Sequence, residues 1–242
     1  MPEGPTIFLL TQETAHFVGK KIVRAEGKAD IDMARLAGKR VLEIRNWGKH
    51  FLMQLDGFAV RVHLLLFGSY RINEKRKQKP SLALTFAKGE LNFYASSVKI
   101  IEGNLDETYD WRGDVMADQW SAAAALKKLR AAPATIACDA LLDQDIFAGV
   151  GNIIKNETLF RIRVHPQARV GGMPAPKLRE MVKQARDYSF EFLEWKRKGV
   201  LKKHLLAHQQ KTCPRCHIAL KTAVLGKTRR RAYYCTRCQV KY

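Results

Sequence analysis

Two Cys-x-x-Cys pairs near the end of the chain constrain its fold more than any other feature. Cys213 and Cys216 are followed after 18 residues by Cys235 and Cys238. Two such pairs, joined by a β-hairpin, supply four thiolates in a closed tetrahedral arrangement, the ligand set of structural zinc. A closed four-sulfur site leaves no position for water, so we expect one structural Zn²⁺. Cys138 stands alone, and reduced cysteines of this kind are typical of a cytoplasmic protein.

The charge of the chain indicates a polyanionic partner. Its formal net charge is +20, from 43 Lys and Arg against 23 Asp and Glu. Residues 196–242 hold 14 of the basic residues and no acidic one. Such segregation favours a surface that faces phosphates, and nucleic acid is the leading candidate. An anionic membrane surface or a merely basic protein are the alternatives. The apolar stretches are too short to span a bilayer, and no export signal is visible at the start.

The pattern of apolar residues divides the chain. Residues 6–18 have near-helical spacing, and seven strand-like segments follow between turns that contain Gly, Asp or Asn. They are KIVRAEG, KRVLEIRNWG, HFLMQLDG, FAVRVHLLLFGSYRI, SLALTFA, ELNFYA and VKIIEG, which together predict a sandwich or a barrel. From about residue 118 the pattern predicts four helices. We therefore predict three domains, with bounds 1–117, 118–205 and 206–242.

A glycine-rich turn joins two of the predicted helices. The sequence FAGVGNIIKNE places Gly149, Gly151 and Asn152 directly before a helix. Glycines let a phosphate approach the backbone, and the N–H groups that begin the next helix then meet the anion. Asn152 could cap that helix or bind the phosphate. A simple packing turn explains the same residues equally well.

The start of the chain, MPEGP, carries a possible nucleophile. If Met1 is removed, Pro2 presents a secondary amine whose pKa, near 8, is well below that of lysine. Its attack on a sugar C1′ with ring opening forms an iminium that cannot lose an N–H, which acidifies the neighbouring 2′ carbon. Glu3 could act as general acid at the ring oxygen. Taken alone, a Met-Pro start more often only shapes a turn.

Four motifs in order resemble one family. PEGP, WGKHF, FAGVGNIIKNETLF and the final CPRC…CTRCQ hairpin together resemble the formamidopyrimidine-DNA glycosylase / endonuclease VIII family. The resemblance runs over nearly the whole chain. It implies an α+β multidomain fold: an N-terminal β-sandwich with a leading helix, then a helix-two-turn-helix domain with a β-hairpin zinc finger.

The resemblance implies roles for single residues. Pro2 matches the family's nucleophile and Glu3 its catalytic acid. Lys49 matches the lysine that contacts phosphate and assists the chemistry. Asn152 matches the phosphate-binding asparagine, and Arg230 the zinc-finger arginine that grips the phosphates flanking the lesion.

An apolar run matches the family's void-filling wedge. Flipping a damaged base out of the duplex leaves a gap, and apolar wedges hold such a kinked duplex. In VHLLLFG, Leu66 and Phe67 resemble this wedge, Leu64 fits a core position, and Leu65 fits either. Four apolar residues in a row exceed strict alternation, so at least one is expected to face outwards.

The family's branches differ in substrate. The oxidised-purine branch usually begins PELPE and carries an Arg-Phe pair, whereas this chain begins PEGP and reads YASSVKIIE in that region. Both features resemble the endonuclease VIII branch, which prefers oxidised pyrimidines. We therefore expect a monomeric bifunctional glycosylase and abasic-site lyase acting on damaged duplex DNA, in the cytoplasm and at the nucleoid if bacterial. Oxidised purines are the alternative substrate. Thr6, where the family often has glutamate, leaves a non-catalytic DNA-binding protein as a further alternative.

Overall fold

The computed structural model describes residues 2–242 and divides the chain into two compact units, the first ending at Asp110. This division comes before the boundary predicted from the sequence. Hydrogen bonds explain the difference, because Val115 N–H donates to the Ala148 carbonyl at 3.1 Å and Ala148 N–H donates to the Gly113 carbonyl at 2.9 Å. The segment after Asp110 is thereby hydrogen-bonded within the second unit.

The first unit contains a leading helix and an antiparallel sheet. Its elements are α1 (Gly4–Thr14), β1 (Ile22–Glu26), β2 (Glu43–Trp47), β3 (His50–Gln54), β4 (Phe58–Ile72), β5 (Leu82–Phe86), β6 (Glu90–Glu102) and the short α2 (Leu105–Thr108). The leading helix is confirmed, although its last turn is a 3₁₀ turn that ends at Phe17. The predicted segments ELNFYA and VKIIEG form one strand, β6, which continues through Ala95 with a positive φ of 48°.

The strands of this unit form one folded sheet in the order β1-β5-β6-β4-β3-β2. The long strands β4 and β6 pair on both sides of a break, at which the register shifts between Leu64 and Ser69. On one side of this break they continue into β3 and β2, and on the other into β5 and β1. The predicted β-sandwich is thus formed by one sheet that bends at the break.

The core of the first unit lies between the two halves of this sheet and α1. Phe51 and Val62 from one half join Leu84 and Phe93 from the other in a single buried cluster, to which α1 contributes Ile7. Burying each of these side chains contributes about 1.5–3 kcal/mol. The same core therefore fixes the position of α1 and of the residues that precede it.

The second unit is helical with a terminal hairpin. Its elements are α3 (Ala122–Ala131), α4 (Ala137–Leu142), α5 (Asn152–Arg161), α6 (Ala175–Arg197), β7 (Lys221–Leu225) and β8 (Arg230–Tyr234). The four predicted helices and the hairpin are all present. Among the residues described, no helix is both long and apolar enough to cross a membrane.

The hairpin belongs to the same compact unit as the four helices. Its β8 edge contacts α5, and its turn contacts α4 through Asp139. A separate zinc-finger domain over 206–242 therefore stays a prediction, as does the domain over 118–205.

Candidate functional site

The residues at the start of the chain precede α1 directly. Glu3 has extended backbone angles, and its carbonyl accepts hydrogen bonds from the N–H groups of Thr6 at 2.8 Å and Ile7 at 3.3 Å. Its side chain is only 1% exposed, whereas the adjacent Pro2 is half-buried. The structure thus holds one carboxylate, inside the fold, immediately next to Pro2.

Lys49 lies at the tip of a tight hairpin. Strands β2 and β3 pair from Trp47 and His50 outwards, so that Gly48 and Lys49 form a two-residue turn. Gly48 has a φ of 54°, which such a turn requires of its first residue. The helix α1, which follows Pro2, packs on both of these strands. Pro2 and Lys49 are therefore attached to elements that pack against each other in the first unit.

A pair of histidines beside Lys49 is not evident from the sequence. His50 on β3 and His63 on β4 are direct cross-strand partners, and their ring centroids lie 5.6 Å apart. Burial, followed by the charges of Arg61, His63 and Lys49, lowers the pKa of His50 to about 3. Burial, followed by the charges of Lys49 and Arg61, also lowers the pKa of His63. Both imidazoles are therefore neutral at pH 7 in a region where the lysine and arginine supply positive charge.

The apolar run in β4 turns outwards after Leu64. Leu64 is 3% exposed and joins the core, whereas Leu65 is 47%, Leu66 51% and Phe67 83% exposed. The run lies at the register break opposite β6. A Cβ on Gly68 would fall 2.6 Å from the Leu65 nitrogen, so only glycine fits this bend. Three consecutive side chains thus form an exposed apolar tip, here called the apolar loop (Leu65–Phe67).

The glycine turn before α5 is held by a glutamine that sequence reasoning missed. Gly149 has a φ of 101°, and its N–H donates to Gln144 Oε1 at 3.1 Å. The amide of Gln144 in turn donates to the carbonyl of Val150 at 3.1 Å. Gly151 is extended and precedes Asn152, the first residue of the helix. The turn therefore presents the N-terminus of a ten-residue helix, with Asn152 at its start.

Two buried side chains of α5 connect this turn to the hairpin. Lys155 Nζ donates to Asn152 Oδ1 at 2.8 Å and to the Arg231 carbonyl at 3.1 Å. Asn156 Oδ1 accepts from the N–H of Tyr233 at 3.1 Å. These bonds pair the free edge of β8 with polar side chains in place of another strand.

The four cysteines of the two Cys-x-x-Cys pairs are brought together as predicted. Their sulfur atoms all lie within 4.8 Å of one another, and those of Cys213 and Cys238 are 3.8 Å apart. Four Zn–S bonds of about 2.3 Å in a tetrahedron place sulfur atoms about 3.8 Å apart, so the cluster fits a zinc ion. Cys138 on α4 and His217 are not in the cluster.

An arginine inside the first Cys-x-x-Cys pair anchors the cluster to the helices. Arg215 donates to the Phe160 carbonyl at 2.7 Å and to the Arg161 carbonyl at 3.2 Å, and its guanidinium lies over the Phe160 ring. The cysteine cluster is therefore fixed at the carboxyl end of α5.

Arg230 opens β8 with an exposed side chain. Its neighbour Arg231 is also exposed, and Arg229 lies in the preceding turn with a positive φ of 47°. Exposure alone does not distinguish Arg230 from these neighbours, so its special role rests on the sequence motif.

Models of two protein domains match the chain. The formamidopyrimidine-DNA glycosylase N-terminal domain matches residues 1–97, and the formamidopyrimidine-DNA glycosylase H2TH domain matches residues 113–204. Together they cover more than half of the chain.

Relatives of known name are similar over much of this chain. Endonuclease 8-like 3 of Xenopus laevis is 28% identical over 94% of this chain and 39% of its own length. Endonuclease 8-like 2 of Bos taurus is 31% identical over 74% of this chain and 58% of its own length. Probable endonuclease 8 2 of Streptomyces coelicolor is 26% identical over 99% of this chain and 94% of its own length. The chain thus spans well under half of the vertebrate endonuclease 8-like 3 proteins.

Solved structures share the fold over nearly the whole length. The formamidopyrimidine DNA glycosylase of Lactococcus lactis, bound non-covalently to DNA with an abasic site, has a TM-score of 0.86 at 20% identity, covering 98% of this chain and 99% of that one. A viral DNA glycosylase has a TM-score of 0.87 at 18% identity, covering 98% and 100%.

Proposed function

The chain belongs to the formamidopyrimidine-DNA glycosylase / endonuclease VIII family, and from this membership we propose that it is a bifunctional DNA glycosylase and abasic-site lyase. It acts as a monomer on damaged duplex DNA in base excision repair. The observation that carries the proposal is the burial of the Glu3 side chain next to Pro2, at the start of a segment matched by the family's N-terminal domain. The net charge of +20 supports a nucleic acid as the substrate.

We assign the nucleophile to the secondary amine of Pro2. Met1 lies outside the described residues, and its removal is part of the proposal. The amine attacks C1′ of the damaged nucleotide, the base leaves, and the sugar ring opens to an iminium. Loss of the 2′ proton expels the 3′ phosphate, and a second elimination expels the 5′ phosphate. The DNA is thereby nicked on both sides of the lesion.

We assign proton donation at the ring oxygen to Glu3. Its carboxyl group is the nearest acid to Pro2 along the chain and is enclosed by the fold, which keeps it in place for proton transfer. Lys49, at the β2–β3 turn, contacts a phosphate and assists the chemistry. The neutral imidazoles of His50 and His63 leave Lys49 and Arg61 as the cations of this region.

The second unit grips the phosphates next to the lesion. The turn containing Gly149 and Gly151 leads into the N-terminus of α5, where the helix dipole favours an anion, and Asn152 adds a side-chain donor. Arg230 on β8 supplies a charge-assisted contact to the same backbone, which arginine makes strongly. The four clustered cysteines would hold a zinc ion, which would stabilise the hairpin that carries Arg230.

The apolar loop fills the gap left by the flipped nucleotide. Flipping costs a few kcal/mol, and an inserted apolar side chain offsets part of this cost. Phe67 is a large exposed side chain, and the bend at Gly68 holds it outside the core. The loop therefore keeps the duplex open while Pro2 reacts.

Oxidised pyrimidines are the proposed substrates. The relatives include proteins named endonuclease 8, and the region in which the purine branch carries an Arg-Phe pair is here the interior of β6. We therefore assign the role of void-filling wedge in this chain to the apolar loop of β4.

Excision from defined oligonucleotides tests the proposal. Duplexes carrying thymine glycol or 8-oxoguanine opposite cytosine are incubated with the full chain, and base release and strand cleavage are measured. We expect faster release of thymine glycol, with products of β,δ-elimination. Faster release of 8-oxoguanine would assign the chain to oxidised purines. Tight binding without release or cleavage of either substrate would leave a DNA-binding protein and would contradict the enzymatic proposal.

A further inference from the structure

Lys155 is a lysine that the fold buries almost completely, with an exposed fraction of 1%. It lies in the first turn of α5, three residues after Asn152, so its side chain lies on the same helix face. Among its partners are the side-chain oxygen of Asn152 and the backbone carbonyl of Arg231. Burying an ammonium group is costly unless hydrogen bonds compensate, which indicates that this position serves a purpose beyond packing.

The chemistry of the three groups fixes one orientation. An ammonium group only donates hydrogen bonds, whereas the amide of asparagine donates at Nδ2 and accepts at Oδ1. Lys155 therefore selects Oδ1 of Asn152, at 2.8 Å. The Nδ2 donor is then directed away from the ammonium. A phosphate accepts hydrogen bonds, so only this orientation of Asn152 can bind it.

We infer that Lys155 is a positioning residue, which fixes the amide of Asn152 with its donor toward the phosphate and ties it to the strand that carries Arg230. This inference rests on the proposed function, because it concerns the same phosphate contacts. The tie to β8 is direct, since Lys155 and Asn156 both donate to the carbonyl of Arg231, the residue after Arg230. The side chain of Asn152 on α5 and the strand that carries Arg230 are thus held by the same hydrogen-bonded group.

A neutral histidine lies beside Lys155 and Asn156. Burial, followed by the charge of Lys155, lowers the pKa of His208 to about 4. The imidazole is neutral at pH 7, and its Nδ1 lies 3.2 Å from Asn156 Nδ2, which donates to it. His208 therefore supports Asn156 without adding charge.

A double-mutant cycle tests the inference. The dissociation constant for a duplex with a tetrahydrofuran abasic-site analogue is measured by fluorescence anisotropy for the wild type, Asn152→Ala, Lys155→Met and the double variant. Lys155→Met in the wild-type background is expected to weaken binding by about tenfold or more. In the Asn152→Ala background the same change is expected to cost about threefold or less, because the amide that Lys155 orients is gone. An equal cost in both backgrounds would overturn the inference.

The variants also separate positioning from folding. If Lys155→Met loses zinc or unfolds, Lys155→Arg and Lys155→Gln replace it. Arginine, like lysine, only donates hydrogen bonds, so Lys155→Arg keeps the orientation of the Asn152 amide. Glutamine can both donate and accept, so Lys155→Gln does not fix that orientation. Tighter DNA binding by Lys155→Arg than by Lys155→Gln supports the inference. Tighter binding by Lys155→Gln than by Lys155→Arg contradicts it.

Failure of the proposed function gives a different pattern. A wild type that does not prefer the abasic-site analogue over intact duplex overturns both proposals. A wild type that prefers it, with Asn152→Ala weakening binding and Lys155→Met costing nothing, overturns only the role of Lys155.

Discussion

Asp139 on α4 accepts a hydrogen bond from the backbone N–H of Lys227, at 2.9 Å, in the turn of the cysteine-bearing hairpin. The hydroxyl of Thr228 donates to the same carboxylate at 3.2 Å. A side chain on Gly226, which has a φ of 71°, would overlap this carboxylate. The hairpin is therefore fixed to the helices at its turn by Asp139, along β8 by Asn156, and at the cysteines by Arg215.

Replacing Asp139 is expected to loosen the hairpin without removing the metal. Asp139→Ala removes the acceptor of the turn and should destabilise the unit by about 1–2 kcal/mol. DNA binding should weaken because Arg230 is held less firmly, while zinc content stays at one ion per chain. Thermal unfolding, zinc analysis and anisotropy check this. Asp145→Ala, an exposed aspartate of the following turn, is the control, and an equal effect there would contradict the role of Asp139.

The apolar loop should affect binding and not stability. Phe67→Ser is expected to change the free energy of unfolding by less than about 0.5 kcal/mol, since the side chain is exposed. It should weaken binding to abasic-site DNA more than to intact duplex. Leu64→Ala, in the core three positions earlier, is expected to cost about 2–4 kcal/mol of stability. Denaturant unfolding and fluorescence anisotropy on both variants measure these two effects. An unchanged preference of Phe67→Ser for abasic-site DNA would contradict the role of the apolar loop.

His50 should make the free energy of unfolding decrease as the pH is lowered. Its folded pKa, about 3, lies below the value of about 6.5 expected in the unfolded chain. Between these values the unfolded state binds the additional proton, so the free energy of unfolding decreases as pH falls from about 6.5 toward 3. The slope from this residue is at most about 1.4 kcal/mol per pH unit. The hydroxyl of Tyr109 lies 3.2 Å from His50 Nδ1. His50→Asn keeps a polar group near this hydroxyl and should flatten the pH dependence in urea unfolding measured across pH 4–7. An unchanged slope would contradict the burial of a neutral His50.

Removal of the metal should weaken DNA binding. Cys235→Ala is expected to lose zinc, because three thiolates do not complete the closed site, and to bind abasic-site DNA at least tenfold more weakly. Cys138→Ala is the matched control, because Cys138 lies outside the cluster and should retain both zinc and binding. Zinc release measured with a chromogenic chelator, together with anisotropy, checks both variants. Full binding by a zinc-free Cys235→Ala protein would refute a structural role of the metal.

The features that could be predicted from the sequence are those encoded by local pattern. The spacing of Cys213, Cys216, Cys235 and Cys238 predicts their cluster, and the apolar alternation predicts the strands. The outward turn of the run after Leu64 follows from its excess of apolar residues. Each of these signals depends on residues close together in the chain.

The features that could not be predicted depend on tertiary register. His50 and His63 become neighbours only when β3 and β4 pair in one register. Lys155, Asn156 and Asp139 gain their roles from a hairpin some 70 to 90 residues further along the chain. Lys155 in particular reads as an ordinary helix lysine, because its burial is set by the strand that covers it. The union of ELNFYA with VKIIEG was missed because Ala95 takes a positive φ that no local residue preference indicates.

Mapping the covalent intermediate shows which amine is the nucleophile. The full chain is reacted with abasic-site DNA in the presence of borohydride, and the trapped adduct is digested and sequenced by mass spectrometry. We expect one DNA remnant on the nitrogen of Pro2, in a peptide that lacks Met1, and none in a variant that retains Met1. A remnant on Lys49 or another lysine, or no adduct under conditions that cleave the DNA, would contradict this expectation.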